Sequence, residues 1–247
     1  MVFGSGPFDE LDDHAVGVGD LEQAFAPGLL AQRQGDLDSG VAQPLEAKKQ
    51  ETRQLISDHA TGLFIAQGFE QTTIAEIAAA ARVAKKTVTN YFPRKEDLAL
   101  DHQEEFAASL ARTVAARRPG ESALAALRRA FADAVAAHDP VAGFSGQQFA
   151  GMVADSPTLT ACLRGLHDQR EHHLAQALAD ATGTEPDDVT VQTAAGLLAT
   201  VHRVLFHRIQ VLTLAGGPSD QIARIIAADA TQAFDLLEPA LSDYATA

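Results

Sequence analysis

Apolar residues recur three and four positions apart along most of the chain after residue 45, and this spacing is typical of helices with one buried side. Proline and glycine separate the periodic stretches, so the pattern predicts several helices rather than one long one. Gly68 ends the first stretch, where we expect a left-handed C-terminal cap. The predicted buried side of this first helix comprises Leu55, Ile56, His59, Leu63 and Phe64.

Two short helices joined by a tight turn are predicted next. Thr73 and Glu76 have the spacing of a capping box, in which each side chain accepts a hydrogen bond from the other residue's backbone N–H. The turn falls near residues 82–83, and the second helix covers 84–92. It ends before Pro93, because the residue that precedes a proline avoids helical geometry. The predicted buried residues of this pair are Ile74, Ile77, Ala78, Val83, Val88 and Phe92.

The remainder of the chain is also predicted to be helical, because no alternating strand pattern of useful length interrupts the periodic stretches. The predicted fold class is therefore all-α, with three short N-terminal helices and a larger C-terminal helical part. Pro–Gly signals set the boundaries of the later helices. Those helices are predicted over residues 95–117, 121–138, 145–155, 157–181, 186–214 and 219–241.

Composition narrows the setting of the protein. The 247 residues are 46% hydrophobic, which allows a sizeable core, and the single Cys162 excludes an internal disulfide framework and a cysteine zinc site. No apolar run is expected to reach the roughly 18 residues of a membrane helix. The N-terminus lacks the basic start and apolar block of a signal peptide. We therefore expect a cytoplasmic protein without a membrane partner.

The formal net charge of −14 is unevenly distributed. Residues 1–45 contain eight acids and one base, and residues 98–247 contain eighteen acids and ten bases. Residues 46–97 contain seven acids and eight bases, with the bases clustered at 48–53 and 82–95. An acidic body around one basic patch would orient that patch towards a polyanion.

The first 45 residues are acidic, and glycines interrupt every short apolar stretch in them. Three interpretations stay open for this segment. It is a disordered acidic extension, it lies upstream of a native start at Val41 because the start codon was assigned wrongly, or it is a functional tail.

The helix–turn–helix predicted over residues 73–92 has the chemistry of a DNA-binding motif. Side chains on its second helix can bind phosphates and the edges of bases. We predict that the DNA-binding residues there are Lys85, Lys86, Thr87, Thr89, Asn90 and Tyr91. For Tyr91, packing of the ring and contact of the hydroxyl with phosphate are both open, and Lys48 and Lys49 either follow the DNA backbone or simply remain hydrated.

This region resembles the DNA-binding domain of the TetR family of bacterial repressors. The resemblance is carried by the run TTIAEIAAAARVAKKTVTNYFPRKEDL and by the preceding RQLISDHATGLFIAQGFEQTT, which together cover about a fifth of the chain. It implies an all-helical homodimer with a DNA-binding domain at 46–97 and a ligand-binding and dimerisation domain at 98–247. Double-stranded operator DNA and a small-molecule inducer are the implied partners.

The resemblance also assigns individual residues. Lys85, Thr87, Tyr91 and Lys95 match the family's DNA contacts, and Thr73 matches a residue at a helix start that meets a phosphate. The sequence departs from the family pattern at four positions, three of which add positive charge. Arg82 and Lys86 replace common glycines, Thr89 replaces a common aromatic residue, and Arg94 replaces a small capping residue.

No catalytic, metal-binding or cofactor-binding pattern accompanies this motif. The sequence shows no nucleophile elbow, no paired carboxylates and no phosphate-binding glycine loop, so we predict that the protein is not an enzyme. Cys162 has no close basic neighbour and is interpreted as a packing residue. The histidines lack the spacing of metal ligands on one helix face; these are His167, His172, His173, His202 and His207.

The expected function is a ligand-responsive repressor that binds its operator as a homodimer. The alternative is a helical ligand-binding or interaction protein whose DNA-binding domain is degenerate. The last two helices are expected to form the dimer interface, with Ala230 on the outward side. A mostly hydrophobic ligand pocket is expected from Phe106, Phe131, Phe144, Phe149, Met152, Leu166 and Phe206.

Overall fold

A computed structural model describes residues 42–247, and the segment interpreted as an acidic extension or a misassigned start lies outside them. The predicted all-α class is confirmed. Among the described residues there are eleven α-helices, a 3-10 turn at Pro140–Ala142 and no strand. The helices are α1 Ala42–Gln67, α2 Ile74–Ala80, α3 Lys85–Tyr91, α4 Glu96–Ala99, α5 Gln103–Ala115, α6 Ala123–Ala136, α7 Gln147–Asp155, α8 Pro157–Thr182, α9 Val189–Leu214, α10 Ser219–Asp235 and α11 Glu238–Leu241.

Helices α1 to α3 pack around a small core, and its register on α1 differs from the prediction. The buried side of α1 is Ile56, Ala60 and Phe64, whereas Leu55 is 45% exposed and His59 is also exposed. Because one residue rotates a helix by about 100°, the predicted stripe was centred too far to one side. The predicted left-handed cap at Gly68 has a φ of 89°.

The turn between α2 and α3 places a non-glycine residue in a left-handed conformation. Arg82 has a φ of 54°, its N–H donates to the Ala79 carbonyl at 3.2 Å, and the Val83 N–H donates to the Ala78 carbonyl at 2.9 Å. These two bonds make a Schellman motif, in which the left-handed position usually holds glycine. Partly buried Val83 packs against the core beneath the turn, as predicted.

The predicted helix over 95–117 is wrong, because the chain breaks after α4. Asp97 is buried and accepts a hydrogen bond from the Gln103 side chain at 3.1 Å. Asp101, in the break itself, accepts a bond from the Ser57 hydroxyl at 2.7 Å, and its carbonyl accepts one from Arg53 at 3.1 Å. These contacts with α1 stabilise a bend that local sequence does not mark with proline or glycine.

The C-terminal helices enclose a second and larger core. Helix α8 packs along α5 and α9, and α10 packs against α9 and α6. The two parts of the chain are not separated by a solvent layer, because Met152 of α7 and Leu159 of α8 belong to the same core as α1 to α3. The position of the small N-terminal domain is therefore set by packing against α7 and α8.

The last helices differ from the expectations in three respects. Helix α9 contains a window of 18 residues with mean hydropathy 1.3, so it is long and apolar enough to span a membrane by composition alone. Half of that window is buried inside the protein, which is typical of a core helix. Ala230 is 9% exposed and packs inside the subunit, so it does not lie on an outward stripe. The predicted helix over 219–241 is interrupted between α10 and α11.

The left-handed Arg82 generates a stability prediction. Arg82→Gly should raise the free energy of unfolding by about 1 kcal/mol, because side chains with a Cβ are strained in this conformation. Lys86→Gly is the matched control, since the same change at an exposed helical position should lower the free energy of unfolding by about 1 kcal/mol. Urea unfolding of both variants checks the pair, and a loss of stability in Arg82→Gly would contradict the strain at the turn.

Candidate nucleic-acid interface

Helix α3 presents a polar and basic face to solvent. Lys85, Lys86, Thr89 and Asn90 are exposed, whereas Val88 is fully buried in the small core. Phe92 is buried at the end of the helix, as predicted. The exposed face combines ammonium, hydroxyl and amide groups, which are the donors and acceptors that contact phosphates and base edges in a major groove.

The half-buried residues of α3 connect this face to the core. Tyr91 packs against the small core with part of its side chain exposed, and Thr87 is also partly exposed. The Thr89 hydroxyl donates to the Lys86 carbonyl at 3.2 Å, so it is held on the helix surface. Tyr91 therefore lies at the edge of this face, in contact with the core, and a contact of its hydroxyl with phosphate stays a prediction.

Thr73 begins α2 with the predicted capping box. Its hydroxyl accepts from the Glu76 N–H at 3.2 Å and donates to the Glu76 carboxylate at 2.7 Å. These bonds to Thr73 lower the pKa of the Glu76 carboxyl. The hydroxyl is thus already committed to the cap, and a phosphate contact at Thr73 would have to be added to this network.

Lys95 has protein partners in this structure. Its ammonium donates to the carbonyls of Phe69 at 2.8 Å and Thr72 at 3.2 Å, and it lies 4.2 Å from the centre of the Phe69 ring. This side chain therefore fixes the loop between α1 and α2. Contact between Lys95 and DNA stays a prediction.

Two arginines of the basic patch are also engaged within the domain. The Arg53 guanidinium lies 4.4 Å from the centre of the Phe92 ring, and Arg94 forms a 2.7 Å ion pair with Asp97. Burial raises the pKa of the Asp97 carboxyl, but the bonds from Arg94 and Gln103 outweigh it and leave that pKa lowered. Arg94 keeps 60% of its side chain exposed, so it still contributes positive charge beside α3.

A polar contact joins the DNA-binding region to the C-terminal helices. The Ser156 hydroxyl caps α8 by accepting from the Leu159 N–H at 3.1 Å, and it donates to the Glu70 carboxylate at 2.7 Å. The bonds from Ser156 and Thr158 lower the pKa of Glu70. The start of α8 is thereby attached to the loop that precedes α2.

The seven predicted pocket residues do not form one cluster. Phe106, Leu166 and Phe206 pack together between α5, α8 and α9. The other four belong to different packing groups. Phe131 and Phe144 lie in the main C-terminal core, and Phe149 and Met152 pack with the small N-terminal core.

The sequence analysis did not select two buried basic side chains, Arg170 beside the first of these clusters and His202 beside Phe131 and Phe234 of the main C-terminal core. Arg170 is only 4% exposed, and its guanidinium lies 4.5 Å from the centre of the Phe106 ring. His202 is also 4% exposed, and its Nε2 has no hydrogen-bond partner within the described part of the chain. The signal in the sequence was the spacing of Arg170 from Leu166 and Leu174, four residues on either side on the buried face of α8.

The comparisons with known proteins agree with this geometry. Residues 56–101 match the family model described as bacterial regulatory proteins of the tetR family. The chain is 29% identical over 148 residues to the HTH-type transcriptional regulator TcmR of Streptomyces glaucescens. That match covers 58% of this chain and 66% of TcmR, just under two thirds of its length.

The chain is therefore similar to bacterial regulators of the tetR family, with the match to the family model confined to residues 56–101. The proteins that it resembles are DNA-binding transcriptional regulators rather than enzymes.

Solved structures show the same fold for most of the chain. A SmeT–triclosan complex superposes with a TM-score of 0.53 at 19% identity, covering 80% of this chain and 95% of that one. A TetR-family regulator from Syntrophomonas wolfei gives a TM-score of 0.52 at 18% identity, covering 76% and 96% of the two chains. The likeness extends through the C-terminal helices, where the family model does not reach.

The exposed lysine at the start of α3 generates a DNA-binding prediction. Lys85→Ala should weaken binding to all DNA sequences and lower the slope of affinity against salt by about one unit per lost phosphate contact. Asn90→Ala, at an exposed position on the same helix, should instead change the preferred sequence, by about 1–3 kcal/mol per lost base contact. Gel shifts over a salt series measure both effects, and an unchanged slope would remove Lys85 from the contacts.

Proposed function

We propose that this regulator is a repressor that binds an operator as a homodimer and releases it when a small molecule enters the C-terminal domain. The observation that carries the proposal is the exposed basic and polar face of α3 on a packed helix–turn–helix. The DNA contacts proposed from this face are those predicted above, and we place the regulator in the cytoplasm with its operator.

An exposed apolar stripe on α9 supports the homodimer. Leu197, Val204 and Val211 follow one another at intervals of seven residues, and they are 40%, 56% and 43% exposed. Leu214 extends the stripe and is 39% exposed. A row of exposed apolar side chains along one helix is typical of an interface. In a twofold dimer the same stripe would pack against its copy, so each contact would be made twice.

The dimer explains how the regulator would engage DNA. Two α3 helices related by a twofold axis can enter successive major grooves when they lie about 34–36 Å apart. The domain that carries each α3 packs on α7 and α8 through Met152 and Leu159. The spacing of the two α3 helices would therefore depend on the packing of each C-terminal domain.

Helix α8 offers a physical route for release by a ligand. Its start is bonded to Glu70 through Ser156, and its middle carries Leu166, which packs with Phe106 and Phe206. A molecule that separates those side chains would move α8 and with it the loop before α2. Release requires that the molecule bind more tightly to the dimer conformation that cannot bind DNA than to the conformation that binds it. The SmeT structure, which holds triclosan, supports a ligand-binding role for this fold.

The decisive experiment is a footprint on the DNA upstream of the regulator's own coding region. We expect a protected, approximately palindromic site there, and protection should be lost with Lys85→Ala at moderate salt. Purified protein that is folded and dimeric but protects no DNA sequence would favour the alternative of a degenerate DNA-binding domain.

The stripe on α9 generates a dimerisation prediction. Val204→Glu should convert the dimer to monomer and abolish tight operator binding, because two like charges would meet across the axis at a cost of several kcal/mol. Leu236→Glu is the control, since Leu236 is 80% exposed and lies outside the stripe. Sedimentation measures the mass of the particle, and a Val204→Glu variant that stays dimeric would show that the interface lies elsewhere.

A further inference from the structure

Arg170 is a buried cation that lacks an anionic partner. Its Nε donates to the Ser109 hydroxyl at 2.9 Å, which uses one of the five N–H groups of the guanidinium. No carboxylate forms an ion pair with it among residues 42–247. Burial lowers the pKa of Arg170 to about 9, against a smaller opposing effect of Asp139. The guanidinium is therefore still charged at neutral pH, in an interior where charges are normally paired.

The charge of Arg170 acts on two histidines. His167 lies between Phe106 and Phe206, with ring centres 5.1 and 5.2 Å away. His202 contacts Phe131 and Phe234 edge-on, and its Nε2 is unpartnered. The pKa of His167 is lowered to about 4, and that of His202 lies well below its usual range. Burial is the largest cause of both shifts, and the charge of Arg170 is the second. The interior thus contains several groups that can donate hydrogen bonds, and among the described residues no carboxylate forms an ion pair with Arg170.

The side chains around these groups are mainly rings. Phe106 and Phe206 meet edge-to-face at 5.6 Å, and with His167 they form a triangle of mutually edge-on rings. The guanidinium of Arg170 stacks on Phe106 at one side of this triangle. A ligand suited to this site would carry acceptors with negative charge at one end and a flat apolar body at the other.

We propose that the C-terminal domain binds an aromatic carboxylic acid, whose carboxylate pairs with Arg170 and whose ring packs with Phe106, His167 and Phe206. The inference rests on the proposed ligand-responsive function and adds the chemical class of the ligand. The carboxylate would give the guanidinium the ion-pair partner that it lacks among the described residues, beside its one hydrogen bond to Ser109. The planar fork of the guanidinium favours a bidentate carboxylate over a neutral group.

The cluster also lies where a ligand would affect the DNA-binding domain. Arg170 and His167 belong to α8, whose first turn is held against Glu70 by Ser156. Phe106 belongs to α5, which runs along α8. An acid held between α5, α8 and α9 would separate these helices at the same place where the mechanism proposed above requires movement.

The test compares 2-naphthoate with 2-naphthamide, which has a similar shape without the charge. Calorimetry on the DNA-free, full-length protein should show that the acid binds at least tenfold more tightly than the amide. Arg170→Met should remove that preference, because its side chain is apolar and of similar length. Arg164→Met is the matched control, since Arg164 is exposed on the same helix and should leave the preference intact.

Arg170→Met should also keep or raise the melting temperature of the unliganded protein, because it removes an unpaired buried charge. Equal binding of acid and amide, a preference that survives in Arg170→Met, or no binding of either probe at millimolar concentration would overturn the proposal. Gel shifts without ligand distinguish a failure of the proposed ligand class from a failure of the proposed repressor function. If Arg170→Met and the wild type both bind the operator while the acid does not bind, the repressor function stands and only the ligand class fails.

Discussion

Leu159 of α8 is fully buried in the same core as Phe64 of α1 and Phe92 at the end of α3. This packing makes the helix–turn–helix continuous with the C-terminal domain. If the small domain had a core of its own and a flexible linker, α3 could reorient without any change in the C-terminal helices. The shared core instead couples the position of α3 to that of α8, as proteins with closely packed interiors transmit displacements.

The interior of the C-terminal domain differs from the small core in its buried polar groups. The small core is mainly apolar, whereas the C-terminal interior contains Arg170, whose guanidinium has one hydrogen bond to Ser109 and no ion pair among the described residues, and His202, whose Nε2 has no hydrogen-bond partner there. Buried polar groups without partners reduce stability and are retained where they serve a function. The contrast between the two interiors assigns DNA positioning to one and ligand recognition to the other in the mechanism that we propose.

Charge distribution follows the same division. The chain carries a net charge of −14, yet the surface of α3 presents Lys85 and Lys86. Some bases near α3 serve the protein itself, as Lys95 does on the carbonyls of the α1–α2 loop and Arg53 does on Phe92. A count of basic residues thus overstates the number of cations free for phosphates, and the exposed lysines of α3 are the clearest candidates.

The sequence by itself determined the helical class, the capping box at Thr73, the end of α1 at Gly68 and the polar face of α3. These are local features, because each depends on residues within one or two helical turns. The register of α1, the break after α4 and the inward position of Ala230 required the tertiary structure, since each depends on what packs against the helix. The buried state of Arg170 was decided in the same way. An arginine on a helix is usually exposed, and only the approach of α5 and α9 removes this one from water and leaves its charge without a partner.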